Sequence, residues 1–148
     1  MELTKVMNEE GIALSLEAST REEVVRHLAK VLQRQGVVSD VETYLVDVEE
    51  REQMGSTAIG FDVAIPHAKS NAAVRPAVAF ARLARPIHWH ASEEETVRLV
   101  FLIAVPREQA GNEHLQILAA LSRKLMQDSV REQLLQARTK EEVLKALS

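Results

Sequence analysis

The chain has 148 residues, 46% of them hydrophobic, with 18 Lys and Arg against 22 Asp and Glu and a formal net charge of −4. That length supports one domain with a sizeable core, and an acidic balance with only 3% aromatic residues excludes the basic, base-stacking surface of a nucleic-acid binder. The absence of cysteine excludes disulfides and thiolate metal sites, and no run in the sequence suits a signal peptide or a membrane span, so a cytoplasmic protein is expected.

Ile12 to Leu16 reads as a first short strand. Thr20-x-x-Glu23 then predicts a helix start, because the threonine oxygen can accept from the amide three residues on. Val24, Leu28, Val31 and Leu32 follow at helical spacing, and Gly36 marks the stop. Ser39-x-x-Glu42 predicts a second helix with Tyr44, Leu45 and Val48 on one side, fading near Gly55. The middle of the chain changes period. Val63 to Ile65, Val78 to Leu83 and Val97 to Val105 are short, apolar and rich in β-branched residues, so they predict strands. Leu99 to Val105 is apolar throughout, as suits a central strand covered on both faces. Helices return with Asn112 as a predicted N-cap, then with capping boxes at Ser129-x-x-Glu132 and Thr139-x-x-Glu142. Strands in the middle and helices at both ends predict an α/β fold: a single three-layer α/β/α domain over 1–148, with a small mixed β-sheet flanked by helices.

The segment from Glu52 to Ala68 carries the chemistry. A glycine-broken turn leads into a short strand that Pro66 stops, and His67 follows directly. The pattern predicts a stiff loop that holds the His67 ring toward solvent. A neutral imidazole has a free lone pair near pH 7 and can attack phosphorus to give a phosphohistidine. Such transfer depends on positioning and on cations or donors around the phosphoryl oxygens. Arg51, with its planar fork, can supply one such group. Ser56 and Thr57 offer hydroxyls and amides in the turn as candidate phosphate contacts. His114 falls at about the second position of the Asn112-capped helix, where a neutral ring could donate to a phosphoryl oxygen.

In these residues the chain resembles the fructose/mannitol-type (type 2) enzyme IIA of the bacterial phosphoenolpyruvate-dependent sugar phosphotransferase system. The likeness lies in Arg51-Glu52, Ser56 to Gly60 and Val63 to Ala68, and continues through Val78 to Leu83, Pro86-Ile87 with Trp89, Val100 to Pro106 and the His114 helix. The resemblance implies a phosphoryl carrier, a phosphotransferase component. The histidine-containing phosphocarrier protein would phosphorylate His67, at Nε2 by family likeness. His67 would pass the group to a cysteine of a cognate enzyme IIB, which serves a membrane enzyme IIC and its sugar. It also implies that Arg51 and His114 surround the phosphohistidine. With no cysteine of its own, the chain is expected to work with a separate IIB partner. No cofactor or metal is expected.

Two other readings stand beside this one. A nitrogen-related regulatory enzyme IIA would share the site but use phosphorylation to control binding to a target protein. A metal-dependent hydrolase would gather His67, His88, His90 and His114. Gly55 to Gly60 has the glycine spacing of a P-loop, but Phe61 and Asp62 stand where Lys and Ser/Thr are needed, so no nucleotide site is expected.

Overall fold

A six-stranded mixed sheet is the middle layer of the computed structural model, which describes residues 2–109 and 112–148. The first helix, α1 (Arg21–Arg34), begins as its capping box predicts. Thr20 Oγ1 accepts from the Glu23 amide at 3.2 Å, and Glu23 reaches back to the Ser19 amide at 2.9 Å. It ends at Gly36, whose φ of +76° favours a residue without Cβ.

Helix α2 (Val41–Gln53) starts one residue later than the sequence pattern predicts. The cap is Asp40, which accepts from the amides of Glu42 and Thr43, while the Ser39 hydroxyl donates to the Ala72 carbonyl at 3.2 Å. A carboxylate suits the positive end of a helix better than a hydroxyl does. Helix α3 (Glu113–Leu125) follows Asn112, but the Asn112 side chain makes no cap bond; its carbonyl accepts from the Gln116 amide at 2.9 Å. The predicted Ser129 box does not form. Helix α4 (Asp128–Gln136) already includes Ser129, and Asp128 holds the first turn by pairing with Arg131. Helix α5 (Lys140–Leu147) has the predicted Thr139 cap, with the Glu142 amide 3.1 Å from Oγ1.

In the sheet, β1 (Ile12–Leu16) runs parallel to β5 (Ala77–His88), and β5 runs antiparallel to β6 (Thr96–Pro106). Parallel to β6 on its other side lie β3 (Val63–Ala64) and β4 (His67–Ser70), and β2 (Ala58–Gly60) pairs antiparallel with β3. The β5 strand continues through Pro86, beyond the predicted stop at Leu83. Its β1 neighbour ends opposite Leu83, so the proline interrupts no ladder on that side. Strands β2 and β4 have no counterpart in the sequence reading.

Strands β3 and β4 are one line interrupted. Ala64 faces Val100 and His67 faces Ile103, so the register passes Ile65 and Pro66 without a slip. Alternation then sends Val63 and Ile65 to one face of the sheet and Ala64 and Ala68 to the other. The first face packs with Phe101, Ile103, Ile117 and Leu121 beneath α3 to α5. The second packs with Leu28, Leu32, Tyr44 and Leu102 beneath α1 and α2. Every residue from Leu99 to Val105 is 0% exposed, as the unbroken apolar run requires of a strand covered on both faces. The result is the three-layer α/β/α arrangement, with the interrupted strand at the rim where the two helical layers meet.

Candidate active site

His67 is the first residue of β4, and its place follows from the break before it. Pro66 cannot donate to the ladder, although its carbonyl still accepts from the Ile103 amide at 3.0 Å. Neighbouring Ile65 turns its carbonyl outward, and the His67 ring folds back onto it with Nδ1 at 2.7 Å. A carbonyl only accepts, so Nδ1 carries the proton and Nε2 keeps its lone pair. Nε2 has no hydrogen-bond partner among the described residues. The ring is not solvent-facing as the sequence pattern predicts. His67 is 9% exposed, because its strand position points it at the α3 side of the sheet. Burial lowers its pKa; the Ile65 carbonyl and Glu52 oppose that shift and Arg51 adds to it, leaving the ring neutral at pH 7.

The second imidazole comes from α3. His114, in that helix's first turn, is 7% exposed, and its ring centroid lies 4.9 Å from that of His67 at a tilt of 58°. Burial, then the charges of His67, Lys69 and Arg51, push its pKa down to about 4. Its Nδ1 is buried without a partner among the described residues. A buried polar atom left unpaired costs about 1–3 kcal/mol.

Arg51 enters from the opposite helical layer, on the last turn of α2. One guanidinium nitrogen donates to the Gly55 carbonyl at 2.8 Å. Neither neighbouring acid takes it: Asp47 pairs with Arg107 at 3.5 Å, and Glu52 is engaged elsewhere. Arg51, His67 and His114 line one shallow recess with Asp47, Glu50, Met54, Ala68, Lys69 and Arg107. Tyr44 fixes α2 beneath it by donating from its hydroxyl to the Ile103 carbonyl at 2.8 Å, next to His67 in the sheet. Two neutral rings and an arginine free of carboxylates, converging on one recess, suit an anion that forms a bond to Nε2.

Thr57 and Ser56 do not line this recess. Thr57 is 4% exposed; its hydroxyl donates to Glu52 at 2.6 Å and accepts from the Trp89 indole at 3.2 Å. The Ser56 hydroxyl accepts from the Ala58 amide at 3.1 Å. Their place in the fold is to shape the turn. The four histidines of the hydrolase reading do not gather either. His88 donates from Nδ1 to the Glu93 carbonyl at 2.9 Å, and His90 lies between Arg21 and Glu52.

Glu52 is the group that the sequence reading passed over. It is 3% exposed, yet burial, which pushes its pKa up, is outweighed by the bonds from Thr57 and His90 and by the charge of Arg21, and its pKa falls below the ordinary value. The signal was present: Tyr44, Val48 and Glu52 fall four apart, which places the carboxylate on the buried stripe of α2.

The family model "Phosphoenolpyruvate-dependent sugar phosphotransferase system, EIIA 2" matches residues 5–148. This chain belongs to that EIIA 2 family. It is 41% identical over 139 residues to the fructose-specific EIIA component of Haloferax volcanii, covering 94% of this chain and 90% of that one. It is 36% identical over 148 residues to the 2-O-alpha-mannosyl-D-glycerate-specific EIIABC component of Escherichia coli, covering 99% of this chain but only 22% of that protein's length. Among solved structures, the nitrogen regulatory protein IIA-Ntr of Neisseria meningitidis superposes with a TM-score of 0.86 at 31% identity, over 97% of each chain. The enzyme IIAMTL in the Escherichia coli complex with phosphorylated enzyme IIBMTL gives 0.81 at 29% identity, over 95% of each chain. An EIIA 2 chain is a phosphotransferase component, so the recess described above sits in a family whose business is phosphoryl transfer. No helix among the described residues is long and apolar enough to cross a membrane.

Proposed function

We propose that this chain is a phosphoryl carrier with His67 as its transient acceptor. The lone pair of His67 Nε2 attacks the phosphorus held by the histidine-containing phosphocarrier protein; a new P–N bond forms as the donor's breaks. The thiolate of an enzyme IIB cysteine then attacks the same phosphorus, and the Nε2–P bond breaks with its electrons returning to the ring. A membrane enzyme IIC would receive the benefit indirectly. The observation that carries this reading is the fixed tautomer of His67, with Nδ1 engaged by Ile65 at 2.7 Å and Nε2 uncommitted. Arg51 would hold the phosphoryl oxygens through its fork. His114, uncharged at pH 7, would donate an N–H to them. The transfer needs no cofactor.

Incubation with phosphoenolpyruvate, enzyme I and the phosphocarrier protein tests the reading. One acid-labile phosphate should appear on the wild type and none on His67→Ala. Phosphate on His67→Ala would overturn the assignment. The likeness to IIA-Ntr, with its TM-score of 0.86, favours a second reading in which phosphorylation controls binding to a target protein. Passing the phosphate from this chain to sugar-specific IIB domains separates the two. Transfer supports the sugar branch, in line with the solved IIA–IIB complex of a relative. A phosphorylated chain that no IIB domain discharges supports the regulatory one.

A further inference from the structure

Behind the recess runs a continuous line of hydrogen bonds. Arg21 donates from one guanidinium nitrogen to His90 Nδ1 at 2.9 Å, and His90 Nε2 meets Glu52 at 2.9 Å. A guanidinium has only protons to offer, so His90 Nδ1 must accept and Nε2 must carry the hydrogen. The tautomer of His90 is thus set by Arg21, which is itself held by the Trp89 carbonyl at 2.9 Å and by Glu49 at 3.1 Å. Glu52 accepts three bonds: from His90, from the Thr57 amide at 2.8 Å and from the Thr57 hydroxyl at 2.6 Å. The Thr57 carbonyl then accepts from the Ile65 amide at 2.9 Å, and the Ile65 carbonyl accepts from His67 Nδ1.

We propose that Glu52 and His90, with Thr57 between them and the strand, are positioning residues for phosphoryl transfer: they fix the Nδ1–H tautomer of His67 and the stance of Arg51. This inference rests on the carrier reading above. Glu52 adjoins Arg51 in the last turn of α2, and the turn it clamps contains Gly55, whose carbonyl holds the Arg51 guanidinium. One carboxylate therefore steadies both the nucleophile and its cation, from two opposite sides of the recess. A loose version of the same turn would leave Ile65 free to shift, and the imidazole would then sample the tautomer in which Nε2 is protonated and cannot attack. Glu52 touches no phosphoryl oxygen in this scheme; it acts only through Thr57, Ile65 and Gly55.

Three variants test the proposal. Glu52→Gln places an amide nitrogen among donors, and His90→Leu removes the donor to Glu52 and the acceptor for Arg21. His90→Gln restores the donor, since its terminal amide reaches about the place of Nε2. Each folded variant is assayed for single-turnover phosphorylation by the phosphocarrier protein and for the His67 tautomer by 15N NMR. Glu52→Gln and His90→Leu should lose roughly ten- to a hundredfold at saturating donor, as misplacement by about an ångström does. Their KM should stay within about twofold, since donor docking is untouched, and His90→Gln should stay within about threefold of wild type. The NMR spectra of the two impaired variants should show His67 exchanging between tautomers. Should Glu52→Gln fail to fold, the His90→Leu and His90→Gln pair decides. Unchanged rates in folded variants, or a His67 still wholly Nδ1-protonated, would overturn the proposal. A wild type that takes no phosphate would sink the carrier reading instead, while the NMR comparison would still judge the network.

Discussion

Acidification from pH 7 to pH 5 should destabilise the wild type by about 2 kcal/mol more than it destabilises His114→Asn. His114 has a folded pKa of about 4, well below the ordinary 6.5 it regains on unfolding. As pH falls below 6.5 the unfolded chain binds this proton and the folded chain does not, so stability drops; the loss stops once the folded ring protonates near 4. At pH 5 the unfolded state binds nearly a full proton more, and integrating that difference gives about 2 kcal/mol. For a chain of this length the shift in Tm is about 4–8 °C. Urea unfolding at both pH values, each protein referred to its own pH 7 stability, cancels the cost of the substitution and the carboxylates common to both. A pH-induced loss equal in the two proteins to within about 0.5 kcal/mol would refute the claim that burial and nearby charge hold this ring neutral.

Arg51→Lys should slow phosphorylation of His67 by about tenfold or more, because an ammonium cannot reproduce the planar fork; stopped reactions with the phosphocarrier protein measure it. Tyr44→Phe removes one of the bonds to the Ile103 carbonyl, which keeps its place in the β4–β6 ladder, and should cost about 0.5–1.5 kcal/mol in urea unfolding. Asp40→Ala should destabilise by about 1 kcal/mol through the lost cap of α2, and Ser39→Ala should cost less, the reverse of what the sequence pattern alone suggests.

How legible each part was depended on whether its cause was local. Thr20 and Thr139 cap their helices with their own oxygens, and an apolar run from Leu99 to Val105 admits little but a buried central strand. Ser39 and Ser129 present the same spacing as Thr20, but Asp40 caps α2 instead and Asp128 opens α4 ahead of Ser129; a carboxylate suits a helix N-terminus better. The helix starts were therefore found within two residues, while the caps of α2 and α4 were misassigned. Strand β4 was missed because its partner, β6, lies over thirty residues away in sequence, and its His-Ala-Lys-Ser run lacks a strand's alternation. The same long-range pairing turned His67 inward. His67, His114 and Arg51 were each readable as candidates, yet their convergence depended on the crossing of two helical layers over one sheet rim. Thr57 illustrates the limit best. Its hydroxyl beside a histidine motif invites a phosphate contact, and only the buried Glu52 shows that its hydroxyl proton and its amide are both already spent.

A carrier must give up what it accepts, and the lining of the recess is consistent with that demand. Arg51, Lys69 and Arg107 face Asp47 and Glu50, and Arg107 is drawn to Asp47 at 3.5 Å. A strongly cationic pocket would hold a phosphohistidine tightly, and binding the resting state well raises the barrier to leaving it. In the proposed cycle, mixed charge would let the recess attract the group through one forked guanidinium while the carboxylates limit how deep the well becomes. Keeping both imidazoles neutral serves the same end: a protonated His114 would add a full charge against the phosphoryl oxygens, whereas an N–H dipole can steady the transferring group without anchoring the product. The buried placement of His67 gives direction to that exchange. With Nδ1 tied to Ile65 and Nε2 uncommitted, a phosphoryl donor and acceptor in the proposed cycle would both have to address the same nitrogen, and so would meet it one after the other.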